Sequence, residues 1–139
     1  MAKNIVADSC FWFGLFDARD QYHAEACAIE GSLSVHSILL PWPTLYESLN
    51  TRFMRKRQER DRFRTYLKRA STVLLDDLPY RAASLDHVME QVSTRHSLVD
   101  HVIRSMLEDP NVSIDALITF NPADFIDVCQ ARRIELIER

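Results

Sequence analysis

The sequence predicts a three-layer α/β domain with a mostly parallel central sheet of four to five strands, spanning 1–139 as a single unit. Three observations carry that expectation. Short apolar runs alternate with longer amphipathic stretches, the order expected of parallel β-α-β construction with helices on both faces of a sheet. The chain has 139 residues and 47% hydrophobic content, enough for one core and too short for two domains of ordinary size. Only two glycines and five prolines are present, so no flexible or low-complexity linker divides it.

The first strand is Asn4 to Ala7, and Asp8-Ser9 then offers polar caps to a helical stretch from Cys10 to Phe16. A second helix is predicted over Gln21 to Gly31, where Tyr22, Ala26 and Ile29 recur near helical spacing and Gly31 is a natural stop. Ser37 to Leu40 is the next strand, closed by Pro41 and Pro43. Thr44 to Phe53 reads as a helix with Leu45, Leu49 and Phe53 on one side and Glu47 off that stripe; it continues to about Ala70 along the apolar line Phe63, Tyr66, Leu67. Thr72 to Leu75 is a third strand. A helix follows from Pro79, in the favoured first turn, through about Gln91. Leu98, Val102, Ile103, Met106 and Leu107 mark another from Ser97 to about Leu107. Ala116 to Thr119 is a fourth strand and Ile134 to Ile137 a fifth.

The N-terminus lacks the uninterrupted apolar run of a signal peptide, and no segment reaches the roughly 18 apolar residues of a membrane span. A cytoplasmic protein with no membrane association is expected. Cys10, Cys27 and Cys129 are odd in number and contain no CxxC pair, which argues for buried free thiols over disulfides or a zinc knuckle. The formal charge of -3 conceals an asymmetry. Arg52 to Arg69 holds nine basic and two acidic residues, a local +7, and the remainder sums to -10. One face can therefore attract a polyanion while another gathers cations.

In open parallel sheets, ligands collect beyond the carboxyl ends of the strands, where strand order reverses. Asp8 and the Asn121 to Asp124 segment follow the first and fourth strands directly, whereas Glu47 and Asp100 lie in helical segments. Each acid has a local explanation. Asp8 can complement a helix dipole, Asp100 follows Ser97 at capping-box spacing, and Glu47 can be an ordinary exposed helical residue. Asp115 begins the fourth strand, roughly 13 Å from Thr119 at its other end, and is excluded from any site there.

The combination resembles a known family. IVADSCFWFGLFDARDQYHAEA resembles the opening of PIN domains, a strand ending in Asp followed by Ser or Thr, with an Asp-x-x-His helix start downstream. PWPTLYESLN resembles the second motif, a helix carrying an acid matched by Glu47. HSLVDHVIRSMLED and ALITFNPADF resemble the third and fourth motifs of VapC-like toxin ribonucleases. The resemblance covers nearly the whole chain.

It implies a PIN-like α/β/α fold and a cluster of carboxylates at the strand carboxyl ends that binds Mg²⁺ or Mn²⁺ and hydrolyses RNA phosphodiesters. By motif, Asp8, Glu47 and Asp100 take the first three positions as catalytic and metal-binding residues. The fourth, often Asp in the family, is Asn121, which offers a neutral oxygen; Asp124 can contribute through water. Loss of that charge implies one tight and one weaker or substrate-dependent metal position. Ser9 and Thr119, hydroxyls beside strand ends, are candidates to orient the carboxylates. Asp20 and His23 read as a helix cap and a packed or rim histidine, and His96 and His101 as structural or substrate-facing.

The resemblance also implies an antitoxin partner, and apolar helical faces near the N-terminus suit a homodimer. Arg52, Arg55, Lys56, Arg57 and Arg60 are candidates for RNA phosphates or an acidic or amphipathic partner segment, against the ordinary alternative of a solvated face. A catalytically weak or inactive PIN-like binding module is the competing expectation. A haloacid-dehalogenase-type phosphatase also begins with Asp after its first strand, but it needs a second Asp where this chain has Cys10.

Overall fold

Alternation of side chains along three adjoining strands builds two cores on one sheet. Ile5, Ala7, Ile38, Leu40, Ala116 and Ile118 point to one face, and Val6, Leu39 and Leu117 to the other, as the period of two requires. The computed structural model describes residues 1–91 and 95–138. Among these, five strands, β1 (Asn4–Ala7), β2 (Ser37–Pro41), β3 (Thr72–Leu75), β4 (Ala116–Ile118) and β5 (Glu135–Ile137), form one sheet in the order β3-β2-β1-β4-β5. Every pairing is parallel. The chain moves outward from β1 through β2 to β3, then returns to β1's other side with β4. The reversal point therefore lies between β1 and β4.

Helices cover both faces: α1 (Ser9–Phe16), α2 (His23–Glu30), α3 (Trp42–Leu49), α4 (Arg57–Lys68), α5 (Arg81–Glu90), α6 (Leu98–Glu108) and α7 (Ile126–Arg132). On the first face an aromatic cluster dominates. The Trp12 ring lies 5.0 Å from Phe11, 5.2 Å from Phe63 and 5.2 Å from Tyr66, and burying each large apolar side chain is worth about 1.5–3 kcal/mol. On the second face Ile103 and Leu107 of α6 pack with Phe125, Val128 and Cys129 around Val6, Leu39 and Leu117.

The three-layer architecture and parallel sheet are those expected from the sequence; several details differ. The stretch from Thr44 to Ala70 is not continuous helix. The backbone N–H of Asn50 donates to Glu47 O and the Thr51 hydroxyl to Ser48 O, which ends α3. A 3-10 turn over Arg52–Arg55 and an extended Lys56 then re-aim the chain. Phe53 thereby enters the aromatic cluster 5.7 Å from Phe63, while Leu49, expected on the same stripe, is exposed. Pro79 sits in a 3-10 turn, Leu78–Tyr80, and the helix proper starts at Arg81. Helix α7 was not expected; it ends at Arg133, which takes the left-handed conformation at φ 56°.

Phe11, Trp12, Leu15 and Phe16 are core residues, while Cys10 and Phe13 on the same helix stay half-buried. One inference from composition is corrected. Cys27 is exposed, whereas Cys129 is buried and Cys10 half-buried; all three are free. Among the described residues, no helix is long and apolar enough to cross a membrane.

Candidate active site

Asp8 stands at the reversal point itself. Its backbone N–H donates to Ile118 O at 2.9 Å, extending the β1–β4 ladder by one step before α1 begins. As the N-cap of α1, it accepts from the Ser9 N–H through Oδ1 at 2.8 Å. Its Oδ2 accepts from the Thr119 hydroxyl at 3.1 Å and from the Cys10 thiol at 3.6 Å. The residue is buried, and burial pushes its carboxyl above the ordinary range against the pull of these hydrogen bonds; the negative charge of Asp100 pushes the same way.

Ser9 links β1's end to α3. Its hydroxyl donates to Glu47 Oε1 at 3.0 Å, so the off-stripe acid of α3 faces the site. Glu47, whose side chain remains exposed on one side, is also raised, first by partial desolvation and then by the charges of Asp8 and Asp100, with the Ser9 bond opposing. Asp100 approaches from the opposite layer, in the first turn of α6. There it completes a capping box: Ser97 N–H donates to Asp100 Oδ2, and Asp100 N–H to Ser97 Oγ, both at 3.1 Å. Asp8, Glu47 and Asp100 thus come from three elements, and the charge of Asp100 opposes ionisation of the other two. Two of them also perform the local capping roles that the sequence allowed.

Beside them, Thr119 Oγ1 accepts from the Asn121 N–H at 3.1 Å while donating to Asp8. Asn121 itself is exposed. Asp124 lies further round the turn, its Oδ1 3.7 Å from His96 Nδ1. His101 stacks on His87 with ring centroids 5.8 Å apart; burial holds its pKa down, with the neighbouring His96 and His87 acting the same way. His23 packs against Gly14 O at 2.7 Å, and Asp20 accepts from the Tyr22 N–H. Asp115 pairs with the Asn4 N–H at 2.8 Å, at the amino end of β1 and away from Asp8.

The basic cluster follows directly on α3. Arg55, Lys56, Arg57 and Arg60 are exposed, and Arg52 Nη2 lies 3.0 Å from Asp17 Oδ2. A cavity of about 560 Å³ opens between Phe13, Asp17, Arg52 and Arg55. A second, mostly apolar groove of about 340 Å³ runs past Glu47 between Tyr46, Leu85 and Leu98.

Sequence reasoning missed two residues here. Cys10 receives the Phe120 N–H at 3.3 Å and touches both Asp8 and Thr119; burial, then the charge of Asp8, push its thiol up to about 12, so it stays a neutral donor. Its position two residues after Asp8 was the available signal. Arg104 bridges α6 to the Asn121–Asp124 turn, and nothing in its sequence spacing identifies that partner.

Among the described residues, no three His, Cys, Asp or Glu side chains are grouped closely enough to enclose a cation directly. The donor chemistry nonetheless suits a hard divalent ion. Glu47 is engaged through Oε1 and Asp100 through Oδ2, leaving the second oxygen of each, and Mg²⁺ retains several waters through which spaced carboxylates can reach it.

The all-parallel five-stranded sheet with helices on both sides has the VapC-like PIN fold. The crystal structure of Mycobacterium tuberculosis VapC20, a sarcin-ricin loop cleaving toxin, superimposes with a TM-score of 0.66 over 88% of this chain and 94% of that one, at 16% identity. At that identity the likeness is one of fold. No family model matches the sequence, and no curated protein matches it.

Proposed function

We propose that this chain is a Mg²⁺- or Mn²⁺-dependent ribonuclease, the toxin of a toxin–antitoxin pair acting in the cytoplasm. The observation that supports the reading is Asp8 at the sheet's reversal point with Glu47 tied to it through Ser9 and with the charge of Asp100 opposing ionisation of both. Acids so placed bind a divalent cation because the cation relieves their repulsion. When bound, such an ion supplies an acidified water and neutralises charge on a phosphodiester.

The chain's own residues prepare the site. Ser9 N–H and the Thr119 hydroxyl orient the two oxygens of Asp8; the Ser9 hydroxyl holds Glu47; the capping box holds Asp100. Asn121 offers an uncharged oxygen at the fourth corner, with Asp124 behind it. Arg52, Arg55, Lys56, Arg57 and Arg60 gather RNA phosphates. The exposed Tyr46, Leu85 and Leu98 around the second groove supply apolar surface for an antitoxin or a second copy.

The test is cleavage of structured RNA with Mg²⁺ or Mn²⁺ by wild type, Asp8→Asn and Asp100→Asn. Loss in both variants is expected; cleavage unchanged in both sinks the catalytic reading. The spacing of the acids and the neutral Asn121 favour one second reading, an RNA- or protein-binding module with little or no turnover. Wild-type RNA binding without cleavage would establish it.

A further inference from the structure

We infer that Arg104 is a positioning residue that fixes the Asn121–Asp124 turn against the helix carrying Asp100, and so sets how two sides of the proposed site face each other; the inference rests on the ribonuclease reading. Arg104 lies four residues after Asp100 on α6, on the same helical face. Its side chain is 17% exposed, and among the described residues its bonds reach the Asp124 turn and the first turn of α7. Nη1 donates to Asp124 O at 2.7 Å and to Asp127 Oδ1 at 2.8 Å, and Nη2 donates to Asp127 Oδ2 at 2.7 Å. The pair with Asp127 is bidentate, which fixes the guanidinium plane as well as its position. Nη1 carries two hydrogens, so the Asp124 carbonyl has its own donor beside the one given to Asp127.

The turn so held is closed by Asp124 N–H to Asn121 O at 3.1 Å and Phe125 N–H to Pro122 O at 3.0 Å. His96, just before α6, faces the Asp124 carboxylate from the other side. The fourth corner is thus referenced to α6. The two interactions of Arg104 have separable consequences: the ion pair staples α7 to α6, whereas the carbonyl bond places the turn.

Arg104→Met removes both interactions, Asp127→Ala only the first, and Arg104→Lys keeps one cationic donor for the Asp124 carbonyl. Mn²⁺ affinity is read by electron paramagnetic resonance below each variant's melting temperature, and amide exchange is followed at Asp124 and Phe125. Arg104→Met is expected to lose about tenfold in Mn²⁺ affinity, the scale on which residues behind metal ligands act, and to exchange faster at both amides. Asp127→Ala should melt lower yet keep both readouts near wild type, with Arg104→Lys in between. Equal effects of Arg104→Met and Asp127→Ala on affinity and exchange, or no effect of either, overturn the inference. If wild type binds no Mn²⁺, the metal-dependent reading fails separately, and the exchange comparison alone decides whether Arg104 places the turn.

Discussion

Thr119→Val replaces a buried hydroxyl by a methyl of the same shape, so it opens no cavity and its cost can be assigned to hydrogen bonds. Thr119 Oγ1 donates to Asp8 Oδ2 and accepts from the Asn121 N–H, each at 3.1 Å. Losing a bond to an ionised acceptor costs about 1.5–3 kcal/mol and losing a neutral one about 0.5–1.5 kcal/mol; the expected loss at neutral pH is therefore about 2–4.5 kcal/mol. With an unfolding entropy of roughly 0.3 kcal/mol/K for 139 residues, Tm should fall by about 7–15 °C.

The larger share depends on Asp8 being ionised, which gives the prediction a sign in pH. Asp8 is already raised in the folded protein, by burial first, and the Thr119 bond is one of the interactions holding it down. A carboxyl raised on folding contributes stability that is fully present below its unfolded pKa and is lost as pH rises through the folded one. Removing the hydroxyl raises it further, so the gap between wild type and Thr119→Val should be widest near neutrality and narrow towards about pH 4, the unperturbed carboxylate range, to the share owed to the Asn121 bond. Thermal melts by circular dichroism across that range, without divalent cations, measure it. Thr119→Ser, which keeps the oxygen, should show a small gap independent of pH. A Thr119→Val deficit that is constant with pH would refute the assignment of the hydroxyl to the Asp8 charge.

Saturating Mn²⁺ at about a hundred times its Kd should stabilise the wild-type fold by about 2.7 kcal/mol, seen as a higher Tm that chelation reverses; Asp8→Asn should show no such rise. Phe63→Ala removes a ring packed against Trp12, Phe16 and Phe53 and should cost about 3–5 kcal/mol in denaturant unfolding; a loss under about 1 kcal/mol would contradict the aromatic core. Neutralising Arg55, Lys56 and Arg57 together should weaken binding to single-stranded RNA at every sequence and flatten the log–log salt dependence by about 0.7 for each phosphate no longer neutralised; an unchanged slope would assign these residues to solvent or to a partner.

The strands were legible because burial on both faces demands short apolar runs, and β1, β2 and β4 have little else in them. The break at 50–56 was not, since Leu45, Leu49 and Phe53 keep helical spacing while the feature that ends α3 is a side-chain bond from Thr51. Helix α7 was not legible either, because seven residues with only Val128 and Cys129 buried carry too little periodicity. At the site, the acids were readable as residue types at strand ends and helix starts. Their supports were readable only where they adjoin in sequence, as Ser9 adjoins Asp8. The Arg104–Asp127 pair and the Phe120 N–H to Cys10 bond join segments that only the folded sheet brings together.

Local capping by Asp100 does not compete with the proposed function, because its carboxylate has two oxygens. Asp100 caps through Oδ2 alone, and its other oxygen is not needed for the cap. This determines which substitution is informative. Asn keeps a carbonyl oxygen able to accept the Ser97 N–H, so Asp100→Asn removes the charge and preserves the helix start; Asp100→Ala removes the charge and also the acceptor of the Ser97 N–H, a loss of about 0.5–1.5 kcal/mol. If the residue serves only the helix, Asp100→Asn should melt like wild type and cleave like wild type, while Asp100→Ala melts lower. If it also serves the site, Asp100→Asn loses cleavage with its melting temperature in place. The two melting curves, read beside the two cleavage rates, separate capping from catalysis at this one side chain.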